Sequence, residues 1–150
     1  MRPEEVFPAK WLRKLEHVLE NEYTFGSVES EDLPNIEENS PLGFFFGLCK
    51  NRAVTIGKVF LTPRFWDAYL QMEDSNGAWY AKREYFSMYA HEAYHALDQK
   101  QQGLCYYPRY ILRFLKFGGR RNHPMERGGY KLHDKMWNCL QTEISREKCQ

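Results

Sequence analysis

Residues 91–95 read His-Glu-Ala-Tyr-His, an HExxH pentapeptide inside a run with helical periodicity, from about Trp79 to Gln101. At about 100° per residue, His91 and His95 lie one turn apart and some 40° apart on a single helix face. Two imidazoles so placed bind one tetrahedral metal, most often Zn²⁺. Glu92 projects from the same side, where a general base takes a proton from a metal-activated water. The competing reading is an incidental histidine pair on a solvated helix. The surroundings argue against it: Gly103 supplies a helix stop, and further ligand-type side chains follow downstream.

A zinc held this way needs a third protein ligand, with a fourth position left for water or substrate. Asp98, Cys105, His123, Glu126, His133 and Cys139 are the downstream candidates. Asp98 sits on the same straight helix, so the ligand is expected from a separate, crossing element. Glu126 fits best. His123-Pro124-Met125-Glu126 reads as a helix start, with proline at the first position and a carboxylate where the helix dipole favours negative charge. A glutamate there also serves as a capping-box residue, and His123 is the main rival ligand. Tyr130, one turn beyond Glu126, and His133, a further turn along, are candidate hydrogen-bond donors to a tetrahedral oxyanion. Asp98, His123 and His133 are candidates to orient the ligands from behind.

The rest of the 150-residue chain frames this centre. Pro8 to Glu20 is an amphipathic helix with Trp11, Leu12, Leu15, Val18 and Leu19 on one face; it forms the bulk of an N-terminal helical segment, 1–27. Val28 to Pro41 is acidic and proline-punctuated, and reads as a loop. Gly43–Cys49 and Ala53–Leu61 are aromatic or β-branched and read as two strands of a hairpin over 43–61, turning at Lys50-Asn51-Arg52. Thr62-Pro63 starts a short helix to Met72. The HExxH helix is predicted over 79–101. Another amphipathic helix follows over Tyr106–Phe117, with Tyr110, Ile111, Phe114 and Leu115 inward and Arg109, Arg113 and Lys116 outward. The third-ligand helix spans 123–139, and the polar tail after Thr142 is expected to fray. The sum is a single α+β domain: a small antiparallel sheet packed on a helical layer around a central helix.

Net charge is +1, so no global field drives the chain toward nucleic acid or membranes. The charge is uneven: residues 1–50 carry 5 basic and 10 acidic groups, and residues 101–150 carry 10 and 4. Nucleic-acid binding through Arg109, Arg113, Lys116, Arg120 and Arg121 is not expected, because no recognition motif accompanies them. The four cysteines form no CxxC pair, which argues against a zinc ribbon or redox motif. No signal peptide or membrane-spanning run is visible, so a cytoplasmic protein with no membrane partner is expected.

Residues from about Val54 to Tyr130 resemble small zincin-like metallopeptidase domains of the gluzincin type. Three pieces carry the resemblance: Ala-Val-Thr-Ile-Gly-Lys-Val-Phe-Leu, the His-Glu-Ala-Tyr-His helix, and His-Pro-Met-Glu-Arg-Gly-Gly-Tyr. The last is similar to an Asn-Pro-x-Glu-x-Glu-Ala-Tyr helix of a poorly characterised bacterial family. The resemblance implies a minimal zincin-like fold, one Zn²⁺ bound by His91, His95 and Glu126, Glu92 as general base, and a peptide or protein substrate added to a sheet edge formed by residues 53–61. The chain departs from that pattern at Gly128-Gly129, where Glu-Ala is expected. Glycine costs about 1 kcal/mol per helical position relative to alanine, so a loose helix and a missing outer carboxylate are expected there. A zinc-binding structural or interaction module with little turnover is the alternative function.

Overall fold

A computed structural model describes the backbone of residues 1–148 and the side chains through Thr142. Its organising element is helix α4, Ala78–Gln102, which is buried on several sides at once. Phe86, Tyr89, Ala90 and Ala93 are fully enclosed, and Tyr85 and Leu97 nearly so. A helix apolar over most of its circumference needs neighbours on several faces, and α4 has them. Helix α3, Pro63–Asn76, and helix α6, Arg127–Lys148, pack against it, and a small sheet covers another flank. The N-terminal helix α1, Ala9–Glu22, buries Trp11, Leu12, Leu15, Val18 and Leu19, the face its periodicity predicts.

The sheet has three strands, β1 (Ile36–Glu37), β2 (Ala53–Ile56) and β3 (Lys58–Leu61), in the order β1-β3-β2. β2 and β3 are antiparallel, with Thr55 opposite Val59; β1 joins β3 in parallel, so the sheet is mixed rather than antiparallel. The hairpin turns on Gly57, whose φ of 69° suits a residue without Cβ. The Gln99 side chain braces this turn. Its Nε2 donates to the Thr55 carbonyl at 2.7 Å, and its Oε1 accepts the Gly57 N–H at 2.9 Å. The α+β class follows directly from these elements.

Several expectations need correction. The strand predicted over Gly43–Cys49 is helix α2, Pro41–Leu48, so the hairpin occupies 53–61 rather than 43–61. Its aromatic content resembles a strand, but Ser40 and Pro41 form a helix start, and Ser40 Oγ accepts the Gly43 N–H at 2.9 Å. Gly43 and Gly47, spaced i,i+4, form the buried side, and a Cβ on Gly43 would lie 2.5 Å from the Leu61 carbonyl oxygen. Thr62 is the N-cap residue of α3, but its side chain makes no capping bond; its hydroxyl donates instead to the Asn51 and Arg52 carbonyls. Helix α3 continues to Asn76, four residues beyond Met72. The acidic 28–41 stretch is not merely a solvated loop, because Val28, Leu33 and Ile36 enter the core and Asp32 pairs with Lys100 at 2.6 Å.

Helix α5, Tyr106–Phe117, forms where predicted, but its faces differ from the expectation. Tyr106 is buried, whereas Ile111, Phe114 and Leu115 are 58%, 50% and 75% exposed. Helix α6 starts at Arg127 and extends to Lys148, past the predicted end at Cys139. It is clamped to α4 by Arg83. That guanidinium donates from Nε to the Trp137 carbonyl at 2.9 Å, reaches Gln141 Oε1 at 3.2 Å, and lies 3.5 Å from the Trp137 ring centroid. Cys49, Cys105 and Cys139 are free thiols; Cys149 lies outside the described residues. Among the described residues, no helix is long and apolar enough to cross a membrane.

Candidate metal centre

His91 and His95 project from the middle of α4, and Glu126 approaches from the residue just before α6. His91 Nε2 and His95 Nε2 each lie 2.9 Å from Glu126 Oε2 and 3.0 Å from each other. Among the described residues, this is the group of His, Cys, Asp and Glu side chains that converges closely enough to hold a metal. Hydrogen bonding alone does not explain the triangle. If both nitrogens donate to the carboxylate oxygen, their mutual approach brings two N–H groups together. If one gives up its proton, its contact with the carboxylate joins two lone pairs. A cation shared by the three atoms would satisfy all three sides. Tetrahedral zinc with ligands at about 2.0–2.2 Å separates them by about 3.3 Å, within a few tenths of an ångström of this spacing.

Burial sharpens the electrostatics. His91 and His95 are 8% and 5% exposed. Burial disfavours a protonated His95, but the hydrogen bond and charge of Glu126 outweigh it and raise its pKa above the ordinary imidazole value. Burial likewise opposes ionisation of Glu126, yet bonds to His91, His95 and Tyr110 hold the carboxyl well below the usual range. Zinc would take the same groups as neutral imidazoles and a carboxylate, so its binding would release any proton held at His95.

Two tyrosines of α5 support this set. Tyr110 donates its hydroxyl to Glu126 Oε1 at 2.6 Å, which fixes the carboxylate with Oε2 turned to the histidines. The Tyr106 hydroxyl lies 3.2 Å from His95 Nδ1, the ring nitrogen facing away from the triangle. A partner at that nitrogen sets tautomer and ring orientation in metal-binding histidines. Their i,i+4 spacing, Tyr106 to Tyr110, places both on one face of α5. That spacing is visible in the sequence, but nothing in it marks the two tyrosines as anything other than core.

Glu92 lies on α4 between the two histidines. Thr55 Oγ1 of β2 donates to its Oε2 at 2.6 Å and holds the carboxylate toward the sheet edge. Tyr130 packs edge-on to His91, with ring centroids 4.7 Å apart, and the Arg121 guanidinium sits over its other face at 4.6 Å.

The remaining predicted residues fall elsewhere. His123 is fully buried and uses both ring nitrogens: Nδ1 accepts the Met125 N–H at 3.1 Å, and Nε2 donates to the Tyr110 carbonyl at 2.9 Å. Its ring stacks on Tyr110 at 4.2 Å. The rival ligand is therefore a staple joining α5 to the Glu126 turn. Asp98 is turned to Gln102, whose Nε2 donates to it at 2.6 Å. Glu126 is not the third residue of a helix; its carbonyl accepts the Tyr130 N–H in the first turn of α6. Cys105 and Cys139 lie outside the cluster.

His133 also lies away from the ligands, bridging α6 to Glu84 of α4 at 3.2 Å and contacting Asp134 at 3.3 Å. Burial opposes its protonation, but the bonds to Glu84 and Asp134 prevail and raise its pKa. A raised folded pKa gives stability that is fully present below the unfolded value of about 6.5 and is lost as pH rises through the folded one. The His133→Gln variant is thus expected to be less stable than the parent by about 0.5–1 kcal/mol in mild acid, with the gap closing at alkaline pH. Urea midpoints across that range check this.

Gly128 and Gly129, which look like helix-weakening departures in the sequence, are close-approach positions. A Cβ on Gly128 would lie 2.3 Å from Tyr94 Cζ, and one on Gly129 would lie 2.9 Å from His91 Nε2. They let the first turn of α6 press against α4 beside the ligands, and the Gly128 carbonyl accepts a bond from the Tyr23 hydroxyl at 3.2 Å.

No family model matches the sequence, and no characterised protein or solved structure shows significant similarity to it.

Proposed function

We propose that this chain is a zinc-dependent metallopeptidase of zincin-like, gluzincin type. The observation that carries the reading is the meeting of His91 Nε2, His95 Nε2 and Glu126 Oε2 within 3.0 Å, with Glu92 on the same helix. The three side chains hold one Zn²⁺, which when bound supplies Lewis-acid polarisation of a carbonyl and a water acidified toward neutrality. Glu92 acts as general base and returns the proton to the leaving amine. Thr55 keeps its carboxylate in position, and Tyr106 and Tyr110 hold the ligands for one ion. Tyr130, packed against His91, serves as the hydroxyl donor to the developing oxyanion.

β2 is the edge strand of the sheet, and an extended peptide adds to such an edge through main-chain hydrogen bonds. The substrate strand displaces the Gln99 amide from the Thr55 carbonyl and Gly57 N–H that it occupies. These bonds order the edge in the absence of peptide. A cytoplasmic location belongs to the same reading.

A second reading, a zinc-binding module with little turnover, draws on the burial of both histidines. Metal removal separates the two. Dialysis against a chelator is expected to abolish cleavage of an unstructured peptide, and one equivalent of Zn²⁺ per chain to restore it. For the module, the chelator lowers the melting temperature and there is no cleavage to restore.

A further inference from the structure

From Gln99 to Met125 the chain carries Lys100, Arg109, Arg113, Lys116, Arg120 and Arg121 and no carboxylate. Helix α5 lies in the middle of this stretch and presents three sides. Tyr106 and Tyr110 turn inward to His95 and Glu126. At 100° per residue, Phe114, Tyr107, Ile111, Leu115 and Leu112 follow one another over about 160° of the circumference. All five are exposed, Leu112 and Leu115 to 66% and 75%, and Leu104, just before the helix, to 88%. Lys116, Arg109 and Arg113 fill the arc between Leu112 and the inward side. Among the described residues, none of these three is paired with a carboxylate; Arg109 meets only the Gln102 amide, and Lys116 lies over the Phe117 ring.

We propose that α5 docks in the plane of an anionic phospholipid surface. Its apolar side sinks into the headgroup–acyl boundary, and its basic strip meets the lipid phosphates and carboxylates. An amphipathic helix with a lysine- and arginine-rich polar face and large apolar residues opposite has the chemistry of an interfacial membrane helix. The charge selects this occupant. A second copy of the chain docked through α5 would cover the leucines but leave the basic strip, about 120–180° from the centre of the apolar arc, without an anionic partner. Nucleic acid would engage the strip and leave the leucines in water. The apolar side shares its helix with the tyrosines that position Glu126 and His95, so the surface stands behind the candidate metal centre. The inference rests on α5 alone and holds whether or not the chain hydrolyses peptides.

Sedimentation of the full chain with phosphatidylcholine vesicles, with and without phosphatidylserine, tests it. Pelleting is expected with phosphatidylserine, far less with phosphatidylcholine alone, and release is expected in 1 M salt, where the Debye length falls to about 3 Å. Each Lys or Arg near an anionic surface contributes about fivefold in partition, so Arg113→Gln with Lys116→Gln lowers it about 25-fold. Leu112→Ser with Leu115→Ser removes binding while leaving the charge intact. All four positions are solvent-exposed, and unchanged helical circular dichroism checks folding. The proposal is overturned by no pelleting with phosphatidylserine, by equal pelleting with neutral vesicles, or by a leucine variant that binds like the parent. It is overturned too by a solution dimer that the leucine substitutions disperse without any vesicle binding in the parent.

Discussion

The Glu92→Gln variant is expected to keep its zinc and lose about 10²–10⁴-fold in peptide hydrolysis. The substitution preserves size and shape, and the amide oxygen still accepts the bond from Thr55 Oγ1 that the carboxylate accepts at 2.6 Å. The His91–His95–Glu126 triangle is closed by its own contacts, and the Glu92 carboxylate is bonded to Thr55 rather than to a member of it. What disappears is a group able to take a proton and give it back. The loss amounts to about 3–5 kcal/mol of transition-state stabilisation and falls on kcat rather than on peptide affinity. Zinc content and kcat are measured together. A variant with parent-like cleavage removes Glu92 from the mechanism; one that has shed its metal shows that the carboxylate holds the site together.

The second large effect concerns a glycine. By helix propensity, Gly129→Ala in α6 gains about 1 kcal/mol. In this fold the sign reverses, because the new methyl would sit 2.9 Å from His91 Nε2, one corner of the candidate triangle. The ring cannot withdraw without leaving the triangle. Zinc affinity is expected to fall by more than the 10–100-fold typical of losing an outer partner. Gly128→Ala acts differently, since its methyl meets the Tyr94 ring rather than a ligand. Overpacking of this kind costs about 1–3 kcal/mol, and Tyr94→Leu removes most of that cost. Competitive zinc titration and chemical denaturation of both variants separate the two effects. Equal behaviour of the two glycines contradicts the close-approach account.

Much of this was legible in the chain before any fold. The HExxH spacing encodes its own geometry, so the His91–His95 face follows from helix pitch alone. Glu126 could be singled out because a third ligand must come from a second element, and His-Pro-Met-Glu marks where one begins. The supporting residues were not legible for a physical reason. Thr55, Gln99, Tyr106 and Tyr110 act on groups 11 to 44 positions away in sequence, and no local pattern distinguishes them from packing residues. His123 misled because an imidazole near a metal motif looks like a ligand; its two backbone bonds appear only once α5 and the Glu126 turn meet. The Gly43–Cys49 error has another cause. Three consecutive phenylalanines suggest a strand, but the Ser40-Pro41 start and the glycine pair at i,i+4 belong to a helix pressed on the sheet. The outward face of α5 was misassigned because an amphipathic pattern reports that one side is apolar, not what covers it.

If two α4 imidazoles and the Glu126 carboxylate form one cation site, zinc binds there and nowhere else in the chain. Diffraction from crystals of the zinc-supplemented protein, recorded on both sides of the zinc absorption edge, tests it most directly. A single strong anomalous peak is expected within about 2.0–2.2 Å of His91 Nε2, His95 Nε2 and a Glu126 oxygen. A fully occupied zinc elsewhere, or none at this triangle with both rings and the carboxylate still in contact, would contradict it.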